Sequence, residues 1–195
     1  FIFKSGSPSS GMERVRVYTE AGMPSKRGSG LFARAFMDRF PLLPVEDDGR
    51  LHDPRLRENF IERIFVFRRW RSMCGDEPSP GAVVEFHTRH KLLIMAHDIT
   101  AYRALGRLVA DVKHMTAVEL RDTYLGLLAP ALKRLATVKT NVNVLQHVMG
   151  YFKKELTSDE KQELLEVIDS YHAGNIPLVV PVTLLNHYVR KYGQP

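Results

Sequence analysis

The sequence predicts a mainly α protein, with a partial, small α/β domain over residues 1–75 followed by an all-helical domain of about five helices over residues 76–195. Three observations carry this. The first 50 residues are dense in Gly, Pro and Ser and hold only short, alternating apolar runs. GDEPSPG, residues 75–81, places two prolines and two glycines in seven positions and reads as a linker. After it, apolar residues recur at helical spacing almost to the end of the chain.

Phe1-Ile2-Phe3 and Val15-Arg16-Val17-Tyr18 read as two short strands joined by the loop SGSPSSG, and FIFK as a strand already under way, which implies the tail of a longer chain. A helix is expected from Leu31 to Arg39, stopped before Pro41. Asp53-Pro54 is a helix opening, a capping carboxylate followed by proline at the first helical position. The helix it opens carries Leu56, Phe60, Ile64 and Phe67 as its apolar stripe, with Arg55, Arg57, Arg63, Arg68, Arg69 and Arg71 crowding the rest. From Val83 to about Val112 the pattern is continuous. Thr116 with Glu119 and Thr157 with Glu160 are capping boxes that start two further helices, the first expected to kink at Pro130 and the second to end at Gly174. Pro181 is a first-turn proline for a final helix reaching Tyr192.

Composition sets the class. An apolar fraction of 44% and a charged fraction of 26% are those of an ordinary globular protein. The net charge of +6 is uneven: residues 1–75 hold 14 basic and 9 acidic residues (+5), the remainder 14 and 13 (+1). That suits nucleic acid without demanding it. One cysteine, Cys74, forms no internal disulfide, and no run of about 18 apolar residues exists to span a bilayer, so a cytoplasmic chain with no membrane partner is expected.

The most informative stretch is TNVNVLQHVMGYFKK, residues 140–154. As a helix it puts Leu145, Val148, Met149, Phe152 and Leu156 on one side, a core stripe. Thr140, Asn143, His147, Gly150, Tyr151 and Lys154 fall on the other, a band of amide, imidazole, phenol and ammonium around a glycine gap. A solvated face ordinarily alternates Glu with Lys or Arg, whereas this band is made of donors and one stackable ring. It fits a polyanion, and equally a half-buried pair, His147 and Tyr151, capping a neighbouring helix.

His87, His90 and His97 share one side of a helix, but no Cys, Asp or Glu accompanies them at zinc-binding spacing, so no metal site is expected. They read instead as a hydrogen-bonding edge, with His87, Lys91, Asp98 and Tyr102 in one row and His90 and His97 packed against a neighbour. No Ser/His/Asp motif, Walker loop or dinucleotide fingerprint is present. SGSPSSG is rich enough in Gly and Ser to offer backbone N–H groups to an anion, though such loops are more often turns.

Two stretches carry a family resemblance. FIFKSGSPSSGMERVRVY, GLFARAF and FPLLPVEDDGRLHDPRLRENFIERIF resemble the C-terminal part of the TudS-like thiouracil desulfidases. EFHTRHKLLIMAH, YRALGRLVA and the run from Thr140 to Tyr192 resemble the YbgA-like helical domain almost from end to end. In this order the pair resembles the two-domain desulfidases called RudS. That resemblance implies removal of sulfur from thiolated uridine by the first domain and tRNA holding by the second.

It also implies a 4Fe-4S cluster on three cysteine thiolates, soft anionic ligands that suit iron. Here the motif S-P-S-C-G reads Ser7-Pro8-Ser9-Ser10-Gly11, so a serine stands at the expected ligand, and the segment bearing the other two cysteines is absent. The resemblance thus implies a catalytically incomplete chain that holds no cluster itself. Ser7 and Ser9 match substrate-facing serines and Ser10 the ligand position, while His87, Arg89, His90, Lys91, Tyr102, Asn143, His147, Tyr151, Lys153 and Lys154 are the candidate RNA contacts. Its implied partners are tRNA and the remaining N-terminal part of the desulfidase. A second class stays open, a helical interaction or dimerisation module with no nucleic-acid role.

Overall fold

The structure, a computed structural model, describes residues 1–18 and 22–193. Among them the chain forms four short strands, β1 (Ile2–Phe3), β2 (Val15–Tyr18), β3 (Pro24–Gly28) and β4 (Glu46–Asp47). The helices are α1 (Leu31–Arg39), α2 (Pro54–Met73), α3 (Pro80–His97), α4 (Ile99–Ala110), α5 (Ala117–Lys133), α6 (Val138–Tyr151), α7 (Ser158–His172) and α8 (Val179–Tyr192). The fold is mainly α with a small α/β portion. Packing divides it into two compact units, one of Phe1–Thr88 with Ala104–Leu135 and one of Arg89–Arg103 with Ala136–Pro195, so α3 and α4 each contribute to both and residues 75–81 lie within the first. No helix among the described residues is long and apolar enough to cross a membrane.

In the first unit β1 pairs in parallel with β4, Ile2 opposite Glu46 and Phe3 opposite Asp47, while β2 pairs antiparallel with β3. The two strands expected from the sequence therefore do not pair with each other. Each finds a partner the sequence pattern did not flag. β4 is invisible to a hydrophobic pattern because its two residues are buried carboxylates. Glu46 is tolerated there because Arg63, also buried, lies 3.5 Å away and Arg50 Nε donates to it at 2.7 Å. Burial pushes the Arg63 guanidinium below its ordinary value, and Glu46 opposes that shift.

The same pair explains why the buried face of α2 is not the expected one. Asp53 caps the helix as predicted, accepting from the N–H groups of Arg55 and Leu56 at 2.8 and 3.3 Å with Pro54 first in the helix. The buried residues are Asn59, Phe60, Arg63, Val66 and Trp70, whereas Ile64 is exposed. Polar residues hold core positions because each has a partner: Asn59 Nδ2 donates to the Leu132 carbonyl at 2.9 Å, and Arg63 meets Glu46. Trp70 stacks on Tyr124 of α5 at 5.0 Å and meets Phe86 edge-on at 5.0 Å. α5 starts on the Thr116–Glu119 box and runs through Pro130 to end at Lys133, so the proline falls in the last turn.

The continuous pattern over residues 83–112 is two helices. Asp98 separates α3 from α4, its Oδ1 accepting from the N–H groups of Thr100 and Ala101 at 2.8 and 3.1 Å, the geometry of an N-cap. Among the described residues six α-helices follow residue 76, where about five were expected, because of this break.

In the second unit α6, α7 and α8 enclose one core of Val142, Leu145, Phe152, Leu164, Ile168, Tyr171, Leu185 and Tyr188. α7 begins at the Thr157–Glu160 box and gives way at Gly174, whose φ of +81° is the left-handed turn that glycine takes without strain. Pro181 lies in the first turn of α8, as expected. Phenols satisfy the polar edge: Asn141 Nδ2 donates to the Tyr171 hydroxyl at 3.0 Å and the Tyr188 hydroxyl to Glu163 at 3.0 Å. Glu160 accepts from Lys191 and, at 2.6 Å, from the Tyr192 hydroxyl, fastening the end of α8 to the start of α7.

Lys191, then Tyr192 and the Thr157 cap, hold the Glu160 carboxyl at about 2, against an ordinary 4.5. Because the folded value is the lower one, this clasp stabilises fully above the unfolded value and is lost as pH falls from 4.5 towards 2. Glu160→Gln is expected to lower the melting temperature at pH 6, with the gap to wild type closing as thermal scans move to pH 2.

Candidate nucleic-acid interface

α6 opens on a capping box the sequence pattern passed over, Thr137 with Thr140. The Thr140 N–H donates to Thr137 Oγ1 at 3.2 Å and the Thr137 N–H to Thr140 Oγ1 at 2.9 Å. Thr140, placed on the polar band from the sequence, thus has its hydroxyl committed to the cap. The expected core stripe is present: Leu145 and Phe152 are buried, and Val148, Met149 and Leu156 pack on the same cluster.

The opposite face is open. Asn143, His147, Gly150 and Tyr151 are all exposed, Tyr151 with 46% of its surface in solvent. His147 Nε2 lies 3.1 Å from the Tyr151 hydroxyl, with the rings edge-on at 5.3 Å. Lys91, half-buried on α3, sits 5.9 Å from the centre of the Tyr151 ring, a cation–π distance. One side chain therefore holds the phenol by its oxygen and another by its ring. The result is an exposed aromatic in a restrained orientation beside a cation, suited to stack on a planar group next to a phosphate.

Lys153 and Lys154 are exposed but do not continue the helix. α6 stops at Tyr151, and Phe152 N–H bonds to the Met149 carbonyl at 3.1 Å while Glu155 and Leu156 bond back to Phe152 at 3.0 and 3.1 Å. The lysines therefore ride on a tight turn after the helix, not on its band. A cleft of about 160 Å³ lies beside this turn, lined by Met149, Gly150, Phe152 and Leu156 and flanked by Lys153 and Lys161. Lys161 belongs to the next helix, so no periodicity within one element could have paired it with Lys153.

The histidines divide differently from the expected edge. His87 is buried, its Nδ1 3.1 Å from the Tyr124 hydroxyl, and His90 and His97 are buried as well. Burial pushes the Tyr124 phenol well above its ordinary value. Asp98 serves as the cap of α4, and no group of three metal-ligating side chains occurs among the described residues. Of the remaining candidates Arg89 is exposed and Tyr102 half-buried.

The serine loop is a turn closed on itself. Ser7 Oγ accepts from the Ser10 N–H at 3.1 Å and lies 3.3 Å from Ser10 Oγ, and the Gly11 N–H donates to the Ser7 carbonyl at 2.8 Å. Towards α1 the loop turns carbonyls, Pro8 and Ser9 accepting from Leu31, Phe32 and Ala33, while at its start the Ser5 N–H donates to Asp48 Oδ1 at 2.7 Å. That helix end is thereby satisfied by the chain itself. Gly30 permits the approach, since a Cβ there would meet the Ser9 carbonyl oxygen at 2.2 Å. Cys74 lies elsewhere, buried at the end of α2, where burial and then Glu85 push its thiol up to about 11, so it stays protonated.

Comparison with known proteins bears on the helical part. The family described as "Protein of unknown function (DUF1722)" matches residues 91–195. The "Uncharacterized protein YbgA" of Escherichia coli (strain K12) is 32% identical over 139 residues, covering 71% of this chain and 82% of that protein. No solved structure matches.

The serine loop gives a stability test. Gly30→Ala forces a Cβ against the Ser9 carbonyl and is expected to cost about 1–3 kcal/mol in denaturant unfolding, with the Phe32 and Ala33 amides losing protection from hydrogen exchange before the rest of α1. Unchanged protection at both amides would contradict the capping role of the loop.

Proposed function

The chain belongs to the YbgA-like DUF1722 family, and on that premise we propose that it binds tRNA through the exposed face of α6, serving the conversion of thiouridine to uridine. The observation that carries this is the Tyr151 ring, exposed yet restrained by His147 and Lys91. A displaced base stacks on the ring, Asn143 and His147 supply hydrogen bonds to base or ribose, and Lys153, Lys154 and Arg89 meet phosphates. His87 and His90 are buried and Tyr102 half-buried, so of these candidates none is assigned a direct contact. On this reading residues 1–75 are the C-terminal part of a TudS-like desulfidase domain and residues 76–195 the YbgA-like domain; the two compact units describe packing rather than ancestry. The setting is cytoplasmic, where tRNA is modified and repaired.

The residues present do not fit a 4Fe-4S cluster. Ser10 offers a hydroxyl that resists deprotonation near neutral pH where a thiolate is required, and it is already engaged with Ser7. Cys74 is buried in another element with its thiol held protonated. No sulfur-removing step is therefore assigned to this chain, and Ser7, Ser9 and Ser10 are read as the shape of a catalytic loop without its chemistry. Its partner in catalysis is a desulfidase segment that supplies the thiolates.

Two substitutions test the RNA contact. Tyr151→Ala is expected to weaken tRNA binding by about 1–3 kcal/mol through loss of stacking. Lys154→Ala is expected to lower the salt slope of binding by about one charge. Neither is expected to lower the melting temperature by more than a degree or two, since both side chains lie outside the core. Variants that unfold earlier yet keep wild-type tRNA affinity would favour the interaction-module reading.

A further inference from the structure

We propose that the β2–β3 hairpin is a second RNA-binding element, a basic two-stranded ribbon that tracks the phosphates of a structured RNA. It is carried by residues separate from the α6 face and goes beyond that reading.

The hairpin is laid down antiparallel, with Val15 opposite Gly28, Val17 opposite Ser25 and Tyr18 opposite Pro24. Gly28 leaves room under it, since a Cβ there would crowd the Val17 side chain and come within 3.2 Å of the Val15 carbonyl oxygen. Only Val15 is buried. Beyond it β2 is exposed on both faces, Tyr18 with 62% of its surface in solvent, and β3 has no buried residue. A two-stranded ribbon exposed on both faces is marginal in water by itself.

Its charge makes it less stable still. Arg14, Arg16, Lys26 and Arg27 lie on the ribbon or at its base, and none forms an ion pair among the described residues. The span's one acid, Glu20, lies outside the described residues. Arg34 and Arg121, by contrast, have partners close by in sequence, Asp38 and Asp122. The register sets Arg16 across the ladder from the Lys26-Arg27 pair, and like charges facing each other across strands repel. Two local irregularities lie at these exposed cations. Arg14 adopts a left-handed φ of +56°, disfavoured for any residue but glycine, and the pairing carries an irregularity between Val15 and Val17 that displaces Arg16.

An element that repels itself, exposes Tyr18 and Met23 and carries an irregular backbone beside its arginines becomes favourable when a polyanion covers it. Phosphates neutralise the four cations and release counterions, and the Tyr18 ring offers a base or ribose a stacking face. Two-stranded ribbons are an established shape for lying along nucleic-acid grooves and backbones. An anionic membrane offers the same negative charge but takes up its protein partners mainly through a broad apolar face, which the described part of this ribbon lacks.

The test uses the full chain, fluorescent tRNA and a salt titration. The triple variant Arg16→Ala, Lys26→Ala, Arg27→Ala is expected to lose at least about tenfold in affinity at low salt and to lower the log–log salt slope by about two to three, with a melting temperature equal to or above wild type because repulsion is relieved. Arg16→Lys with Arg27→Lys keeps the charge and is expected to keep the slope. An unchanged slope in the triple variant overturns the proposal, as does a loss of binding to phosphatidylserine vesicles with tRNA affinity intact. Tyr151→Ala separates the two surfaces. Loss in the triple variant with none in Tyr151→Ala leaves the ribbon standing and removes the α6 contact, the reverse removes the ribbon alone, and absence of tRNA binding by the unaltered chain overturns both.

Discussion

The second unit depends on where Phe152 goes. Its ring is fully buried among α6, α7 and α8 at the point where α6 ends, a burial worth about 1.5–3 kcal/mol. Its backbone then turns back on itself, accepting from Glu155 and Leu156. Three consequences follow from that one anchor. Tyr151, the residue before it, is directed outward; Lys153 and Lys154, the residues after it, are lifted onto a turn; and Gly150 leaves a gap between them, with nothing within 4 Å of where its Cβ would be. A glycine inside a helix costs about 1 kcal/mol relative to alanine. Here no backbone conformation and no neighbour requires it, which is consistent with a surface that must stay open.

The first unit is organised by polar groups that are paired where they are buried. Glu46, Arg63, Asn59 and His87 all occupy core positions, and each meets a named partner. That arrangement brings β4 beside β1 and turns α2 so that Trp70 rather than Ile64 faces Tyr124. The serine loop follows the same logic on the surface. Its carbonyls satisfy α1 and its own N–H groups are partly used internally, so the loop is closed by hydrogen bonds that need no ligand.

Much of this was legible in the residues, and the exceptions have physical causes. α1, the Asp53 cap, both Thr–Glu boxes, the Gly174 terminus and the core stripe of α6 could be read because local capping chemistry and a 3.6-residue period dictate them. β4 and the true face of α2 were hidden because charge in the core contradicts any hydrophobic pattern until its partner is known. The break at Asp98 was hidden because apolar spacing continued through it. That Tyr151 and His147 share one exposed face could be read from helical phase, whereas the approach of Lys91 to the Tyr151 ring could not, because a cation from another helix leaves no trace in the spacing of α6. Lys154 was placed on the band by helical phase, but the helix ends at Tyr151, and Lys154 is exposed on the turn that follows, beside Lys153.

The account rests on α6 touching RNA. Photo-crosslinking of the full chain to tRNA carrying 4-thiouridine, followed by protease digestion and mass spectrometry, reads that contact directly. The account predicts crosslinked peptides that contain Tyr151 and its neighbours between Thr140 and Lys154. Crosslinks confined to other peptides, with the α6 peptide recovered unmodified at saturating tRNA, would contradict it.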